Sequence, residues 1–148
     1  MSDIFEITLL SLQVSAFATI ISLVIGLPLG TWLAFGEFRG RAFILSIVNT
    51  GMALPPVVVG LVVAMTVWRS GPLGGLRLIY TPWAIVIAQT VIAAPVVTGL
   101  TAAALASLDP RLGQQLLGLG ASRGQMIWSL WREARLPLLA ALMAGFGS

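Results

Sequence analysis

The chain contains no cysteine, no histidine and no lysine. Without thiols there are no disulfides and no thiolate metal sites. Without histidine and lysine, a Ser-His or Ser-Lys pair, an H-E-x-x-H zinc site, a Schiff base and a G-x-x-x-x-G-K-[ST] nucleotide loop are all impossible. Acids are scarce as well: Asp3, Glu6, Glu37, Asp109 and Glu133 are the five. An intramembrane aspartyl mechanism needs two carboxylates at depth, and all five lie outside the longest apolar runs. We therefore expect no catalytic residue, no cofactor site and no metal site, and read the chain as something other than an enzyme.

Charge itself is missing over three long stretches: residues 7–36, 42–68 and 78–108. A hydrocarbon core about 30 Å thick is crossed by roughly 20 helical residues at about 1.5 Å each, so every run is long enough to span. None offers a polar face to turn toward water. Hydrophobic residues make up 58% of the chain and charged residues 9%, against about 25% charged in soluble proteins. The expected fold class is all-α, a polytopic transmembrane helical protein with three complete spans and part of a fourth. Its start, Met1-Ser2-Asp3-Ile4-Phe5-Glu6, is acidic where a secretory signal is basic, and the run behind it is too long for a cleaved segment. It is expected to remain as the first span.

All eight cations are arginines. The net charge of +3 is scattered, so the high isoelectric point reflects missing acids more than a nucleic-acid surface. If the first loop, with Arg39 and Arg41, is cytoplasmic, then Arg111, Arg123, Arg132 and Arg135 are inside too, with only Arg69 and Arg77 outside. That obeys the positive-inside bias and puts the N-terminus outside. The expected spans are 8–35, 43–68 and 82–108.

Several features interrupt the spans. Thr8, Ser11, Ser15, Thr19, Ser22, Gly26 and Gly30 recur at steps of three or four, a small-residue stripe suited to close helix packing. Gly26 to Gly30 is a GxxxG spacing around Pro28, where a kink is expected. The second span holds Asn49 and Thr50, then Pro55-Pro56 and Gly60. A double proline at mid-membrane frees carbonyls, which is tolerated where the backbone is buried in protein or lines a cavity. Pathway lining and a purely structural kink both remain open for Pro55, Pro56 and Gly60. Thr81-Pro82 reads as N-cap and N1 of the third span. Gln89, costly in lipid, is expected to face protein or water.

The polar stretch 109–137 reads as two short helices. Asp109-Pro110 is an N-cap and N1 pair, with Leu112, Leu116 and Leu119 on one face and a glycine stop at Gly118 and Gly120. Ser122-Arg123-Gly124-Gln125 is an S-x-x-Q capping box that starts the second helix through Met126, Ile127 and Trp128. Such a unit suits a membrane-surface element or a docking knob for a soluble partner.

Gln114-Gln115-Leu116-Leu117-Gly118-Leu119-Gly120-Ala121-Ser122 resembles the E-A-A-x-x-L-G-A-S loop of binding-protein-dependent ABC importer permeases. The match is strong at Leu119-Gly120-Ala121-Ser122, while Gln114, Gln115 and Leu116 replace the Glu-Ala-Ala. Leu54-Pro55-Pro56-Val57-Val58-Val59-Gly60-Leu61, Arg69-Ser70-Gly71-Pro72-Leu73-Gly74, Thr81-Pro82 and Ala88-Gln89-Thr90 resemble the tungstate branch, near the molybdate and sulfate permeases. The wider family closes its loop with an apolar-x-Leu-Pro. Here Leu130, Trp131, Arg132 and Glu133 stand there, and Pro137 comes four residues later.

The resemblance implies a permease core of the molybdate and methionine type, one transmembrane domain over 1–148, incomplete at its C-terminus, with 109–137 as the coupling-helix loop. It implies an ABC ATPase subunit seated on Gln114, Gln115, Leu116, Leu119, Gly120, Ala121 and Ser122. It further implies an external oxyanion-binding protein, a homodimer with the pathway between protomers, and a place in the lipid of the inner or plasma membrane. Relatives continue with two more spans, so the chain is expected to be truncated at Ser148. The expected function is an ATP-driven oxyanion permease, for tungstate first and molybdate next. The alternative is a non-transporting membrane scaffold that docks a partner through the same loop.

Overall fold

A computed structural model describes residues 2–147, without the side chains of Ser2 and Asp3. Expectations resting on Met1, the Asp3 side chain or Ser148 lie outside the described residues. Seven α-helices follow one another: α1 (Ser2–Phe35), α2 (Arg41–Ala53), α3 (Pro56–Val67), α4 (Pro82–Ala106), α5 (Pro110–Gly118), α6 (Arg123–Glu133) and α7 (Arg135–Phe146). No strand occurs among the described residues. Two helices are long and apolar enough to cross a membrane, and a third if α2 and α3 form one span.

The first expected span is one helix, continuous through Pro28. The second is not. Pro55 and Pro56 have no N–H, so the carbonyls of Gly51 and Met52 have no i+4 donor and α2 stops at Ala53. Leu54 and Pro55 are extended, Pro56 opens α3 as its first residue, and the two helices meet at 99°. The expected continuous run over 43–68 is therefore two rods. α4 carries Pro82 at its start and runs unbroken past Pro95.

The core is the contact of α1 with α4, and it is made of small residues. A Cβ placed on Gly26 would lie 2.7 Å from Val97 Cγ1, and one on Gly30 would lie 2.7 Å from the Thr98 carbonyl oxygen. With lipid outside as apolar as the interior, close backbone approach and dispersion must hold helices together, and glycine permits that approach. Ala18, Thr19 and Ser22 are buried along the same seam. The Ser22 hydroxyl reaches the Thr90 carbonyl at 3.5 Å. Thr8 and Ser11, expected on this face, are exposed instead, and their hydroxyls donate to the carbonyls of Ile4 and Ile7. Satisfied within their own helix, they need no neighbour.

Val14 packs on Val86, Ser22 bonds Thr90, Gly26 meets Val97 and Gly30 meets Thr101, so α1 and α4 run parallel. Residues 36–81 must then carry the chain back along α1. Despite its bend, the α2–α3 pair thus belongs to a net crossing. α2 starts beside the end of α1, where the Arg41 Nε donates to the Leu33 carbonyl at 2.7 Å and Trp32 stacks on Phe38. Its far end meets the middle of α4, with Met52 against Gly99 and Gly51 against Pro95. The break at Pro55 consequently lies near the midpoint of the bundle.

Candidate functional site

The end of the bundle below α1 and α4 carries a helical hairpin, α5 and α6. Asp109 caps α5 by accepting from the Arg111 N–H at 2.9 Å, with Pro110 at the first helical position. The capping box at α6 is complete: Gln125 N–H donates to the Ser122 hydroxyl (3.3 Å) and Ser122 N–H donates to Gln125 Oε1 (2.9 Å). Between them Gly120 has φ +88°. Its N–H donates to the Leu117 carbonyl and that of Ala121 to the Leu116 carbonyl, both at 3.0 Å. This pair of bonds around a left-handed glycine is a Schellman motif, and it reverses the chain in a single residue.

The turn stands clear of the bundle. Leu119 is 85% exposed at its tip, and Gln114, Gln115, Gly118, Gly120 and Ser122 are exposed around it, with Leu116 and Ala121 half-buried. All seven residues singled out from the sequence are thus gathered in one knob. Its base is fixed: Leu130 and Ala134 pack with Leu105, flanked by Leu112, Met126 and Trp131. The Trp131 indole N–H donates to the Thr31 hydroxyl at 3.1 Å. A cleft of about 1030 Å³ opens between this hairpin and the 36–41 turn, lined by Glu37, Arg39, Arg41, Asp109, Gln114 and Leu117 among others. An exposed apolar tip on a braced base, beside a charged cleft, can dock a protein groove.

The second candidate group lies elsewhere. Pro55 and Pro56 are exposed at the α2–α3 break, and nothing lies within 4 Å of a Cβ on Gly60. The knob and the break are separate features. Asn49 and Thr50 stand out in the sequence, whereas Ser46 does not join them until the fold is seen. All three are exposed on one face of α2 and border a recess with Ala42, Leu45 and Ala53. The i, i+3, i+4 spacing of three polar residues in an apolar helix was the available signal.

Two other expectations are corrected or sharpened. Thr81 sits at the N-cap position of α4, yet its hydroxyl donates to the Leu78 carbonyl at 2.6 Å instead of capping. Among the described residues neither the Oε1 of half-buried Gln89 nor the hydroxyl oxygen of buried Thr101 has a hydrogen-bond partner. Each carries a desolvation cost of about 1–3 kcal/mol. Arg41 and Trp131, counted in the sequence only as a charge and a loop residue, prove to be ties to α1.

Residues 26–148 match the profile of the family described as binding-protein-dependent transport system inner membrane component. The "Probable anion ABC transporter permease protein" of Haloferax volcanii is 37% identical over 142 residues, covering 96% of this chain and 61% of its own length. The "Tungstate uptake system permease protein TupB" of Peptoclostridium acidaminophilum is 35% identical, covering 97% of this chain and 63% of its own. The "Molybdenum transport system permease protein ModB" of Escherichia coli is 30% identical, covering 89% and 61%. The chain thus spans about three fifths of the length of these curated relatives. With an all-helical membrane fold and a match over residues 26–148, the chain belongs to the family of binding-protein-dependent transport system inner membrane components.

Proposed function

We propose that this chain is the permease subunit of an ATP-driven importer of a tetrahedral oxyanion, tungstate first and molybdate next. The observation that carries the reading is the braced, exposed α5–α6 turn with Leu119 at its tip and Gly120 in the left-handed region. The names of the anion, tungstate and molybdenum relatives support the substrate class. An ABC ATPase subunit takes the knob formed by Gln114 through Ser122, and hydrolyses ATP, for which this chain has no lysine-bearing loop. An external binding protein delivers the anion to a homodimer. Closure of the ATPase then biases a two-state rearrangement of the permease by its differential contacts.

The arginine distribution supports an N-terminus outside and a hairpin on the cytoplasmic side of the inner membrane. The open break at Pro55, Pro56 and Gly60, next to the Ser46, Asn49 and Thr50 face, supports placing the route along α2.

The test is tungstate uptake by proteoliposomes holding the full-length complex of permease, ATPase and binding protein. ATP-dependent accumulation of tungstate, with ATP turnover stimulated by the loaded binding protein, is expected. An ATPase rate indifferent to substrate would leave the scaffold reading in its place. For orientation, a cysteine at Gly75, where a side chain meets open space, should react with an impermeant thiol reagent in intact cells, and one at Arg123 should not. Gly74 is unsuitable because it is buried against the backbone of Trp68 and Arg69.

A further inference from the structure

Beside the hairpin, α1, α6 and α7 enclose an open groove of about 390 Å³ that plays no part in the coupling reading. Its rim at the hairpin end carries Arg132 and Arg135 with Trp128 and Trp131. Its floor is aliphatic, with Leu23 and Leu27 from α1 facing Leu139 and Leu142 from α7. No acid lines it. Both arginines are exposed, and among the described residues neither guanidinium is held by a carboxylate, Glu133 between them included. The Trp131 indole is engaged by Thr31, while Trp128 is 63% exposed with its N–H without a partner among the described residues.

Depth makes this arrangement specific. Trp131 bonds Thr31, four residues before the end of α1 at Phe35, which sets the rim about 6 Å in from that end toward the middle of the bundle at about 1.5 Å per residue. Tryptophans at that level form the aromatic belt of a membrane interface, and paired arginines there face lipid headgroups. Below them the floor runs on toward the bilayer centre. Two unpaired cations over an aliphatic lane match a ligand with an anionic head and hydrocarbon tails.

We propose that this groove is a site for an anionic phospholipid in the leaflet on the hairpin side, with the phosphate on Arg132 and Arg135, the Trp128 N–H donating to the headgroup, and an acyl chain along Leu23, Leu27, Leu139 and Leu142. The occupant braces the α6–α7 joint at Ala134, where the hairpin passes into an apolar helix. The proposal rests on reading this end as a membrane–water interface and is independent of transport.

The experiment is native mass spectrometry of the full-length permease purified in neutral detergent, with an equimolar mixture of phosphatidylglycerol and phosphatidylcholine of identical acyl chains. Phosphatidylglycerol should be retained preferentially. Arg132→Gln should cut the preference roughly fivefold, and Arg132→Gln with Arg135→Gln roughly thirtyfold. Arg132→Lys with Arg135→Lys should keep most of it. Arg69→Gln with Arg77→Gln, which removes the same charge at the other end, should leave it unchanged. Circular dichroism shows whether each variant keeps its helices.

Equal retention of the two lipids would overturn the proposal, as would an equal loss in the Arg69/Arg77 variant. Two further outcomes sink it: displacement of the lipid by inorganic phosphate alone, which makes the rim an anion site, and a lipid-free dimer that dissociates when Leu139→Asn is introduced, which makes a second copy the occupant.

Discussion

Trp131 and Thr31 are one hundred residues apart in the chain, and the indole N–H of the first donates to the hydroxyl of the second at 3.1 Å. Thr31 in turn donates to the Leu27 carbonyl at 2.7 Å, so its oxygen gives one bond and accepts one. The hairpin is tied by this bond to the helix that forms the seam with α4. A force on the exposed turn at Leu119 therefore reaches α1 through Trp131, with Leu130 and Ala134 packed beside it on Leu105.

Thr31→Val keeps the shape of the side chain and removes the acceptor. Thr31 is 7% exposed, so the freed indole N–H finds little water there. We expect a loss of about 1 kcal/mol in docking of the hairpin, read as faster hydrogen exchange in α6 with exchange in the α1–α4 seam unchanged. Trp131→Phe should cost more, since it also takes ring volume from the cluster at the hairpin base, and the double variant should cost less than the sum of the two single ones. Additive losses would show that the bond is not the tie.

A Cβ on Gly120 would meet nothing within 4 Å, so the cost of replacing this glycine is conformational. A left-handed non-glycine residue costs about 1–2 kcal/mol, least for asparagine. Gly120→Val should spoil the turn and abolish ATPase coupling in the full-length complex with membrane insertion intact. Gly120→Asn should retain most coupling. Normal substrate-stimulated ATP turnover in the valine variant would remove this turn from the coupling assignment.

Glycines in the apolar helices divide by what faces them. Gly26→Val and Gly30→Val drive carbon atoms into Val97 and the Thr98 carbonyl, and overpacking of this kind costs about 1–3 kcal/mol or more. Thermal unfolding in detergent should fall accordingly. Gly60→Ala enters open space within α3 and should be neutral, or stabilising by roughly 0.5–1 kcal/mol. A destabilised Gly60→Ala would mean that α3 packs against something beyond this chain.

Pro55→Ala with Pro56→Ala restores two N–H donors at the α2–α3 break. Residues 41–67 could then form one rod of about 40 Å at about 1.5 Å per residue, and spin labels near its two ends should move apart as the 99° angle opens. In the full-length protein, uptake should fall more than expression does. Straightening without any change in uptake would leave the double proline as a packing kink.

What the sequence determined by itself was whatever depends on neighbours within a few residues or on a running total. The charge-free stretches specified membrane helices, because the cost of placing a residue in hydrocarbon is summed along the segment. Asp109, the Ser122–Gln125 box and the Gly120 stop were legible because capping bonds join residues two to five positions apart. Even so, a local rule could be outbid, as at Thr81, whose hydroxyl found the Leu78 carbonyl first.

Only the tertiary structure decided which faces meet. A helix that is apolar all round carries no stripe to show which side is covered, so the small-residue row on α1 did not reveal that Gly26 and Gly30 face α4 while Thr8 and Ser11 face outward. The prolines announced a break but not its 99° bend, since removing a donor ends a helix without aiming the next one. The parallel run of α1 and α4, the Thr31–Trp131 tie and the groove under Arg132 and Arg135 join parts of the chain far apart in sequence. Contacts of that range depend on how whole helices pack, which no spacing within one segment encodes.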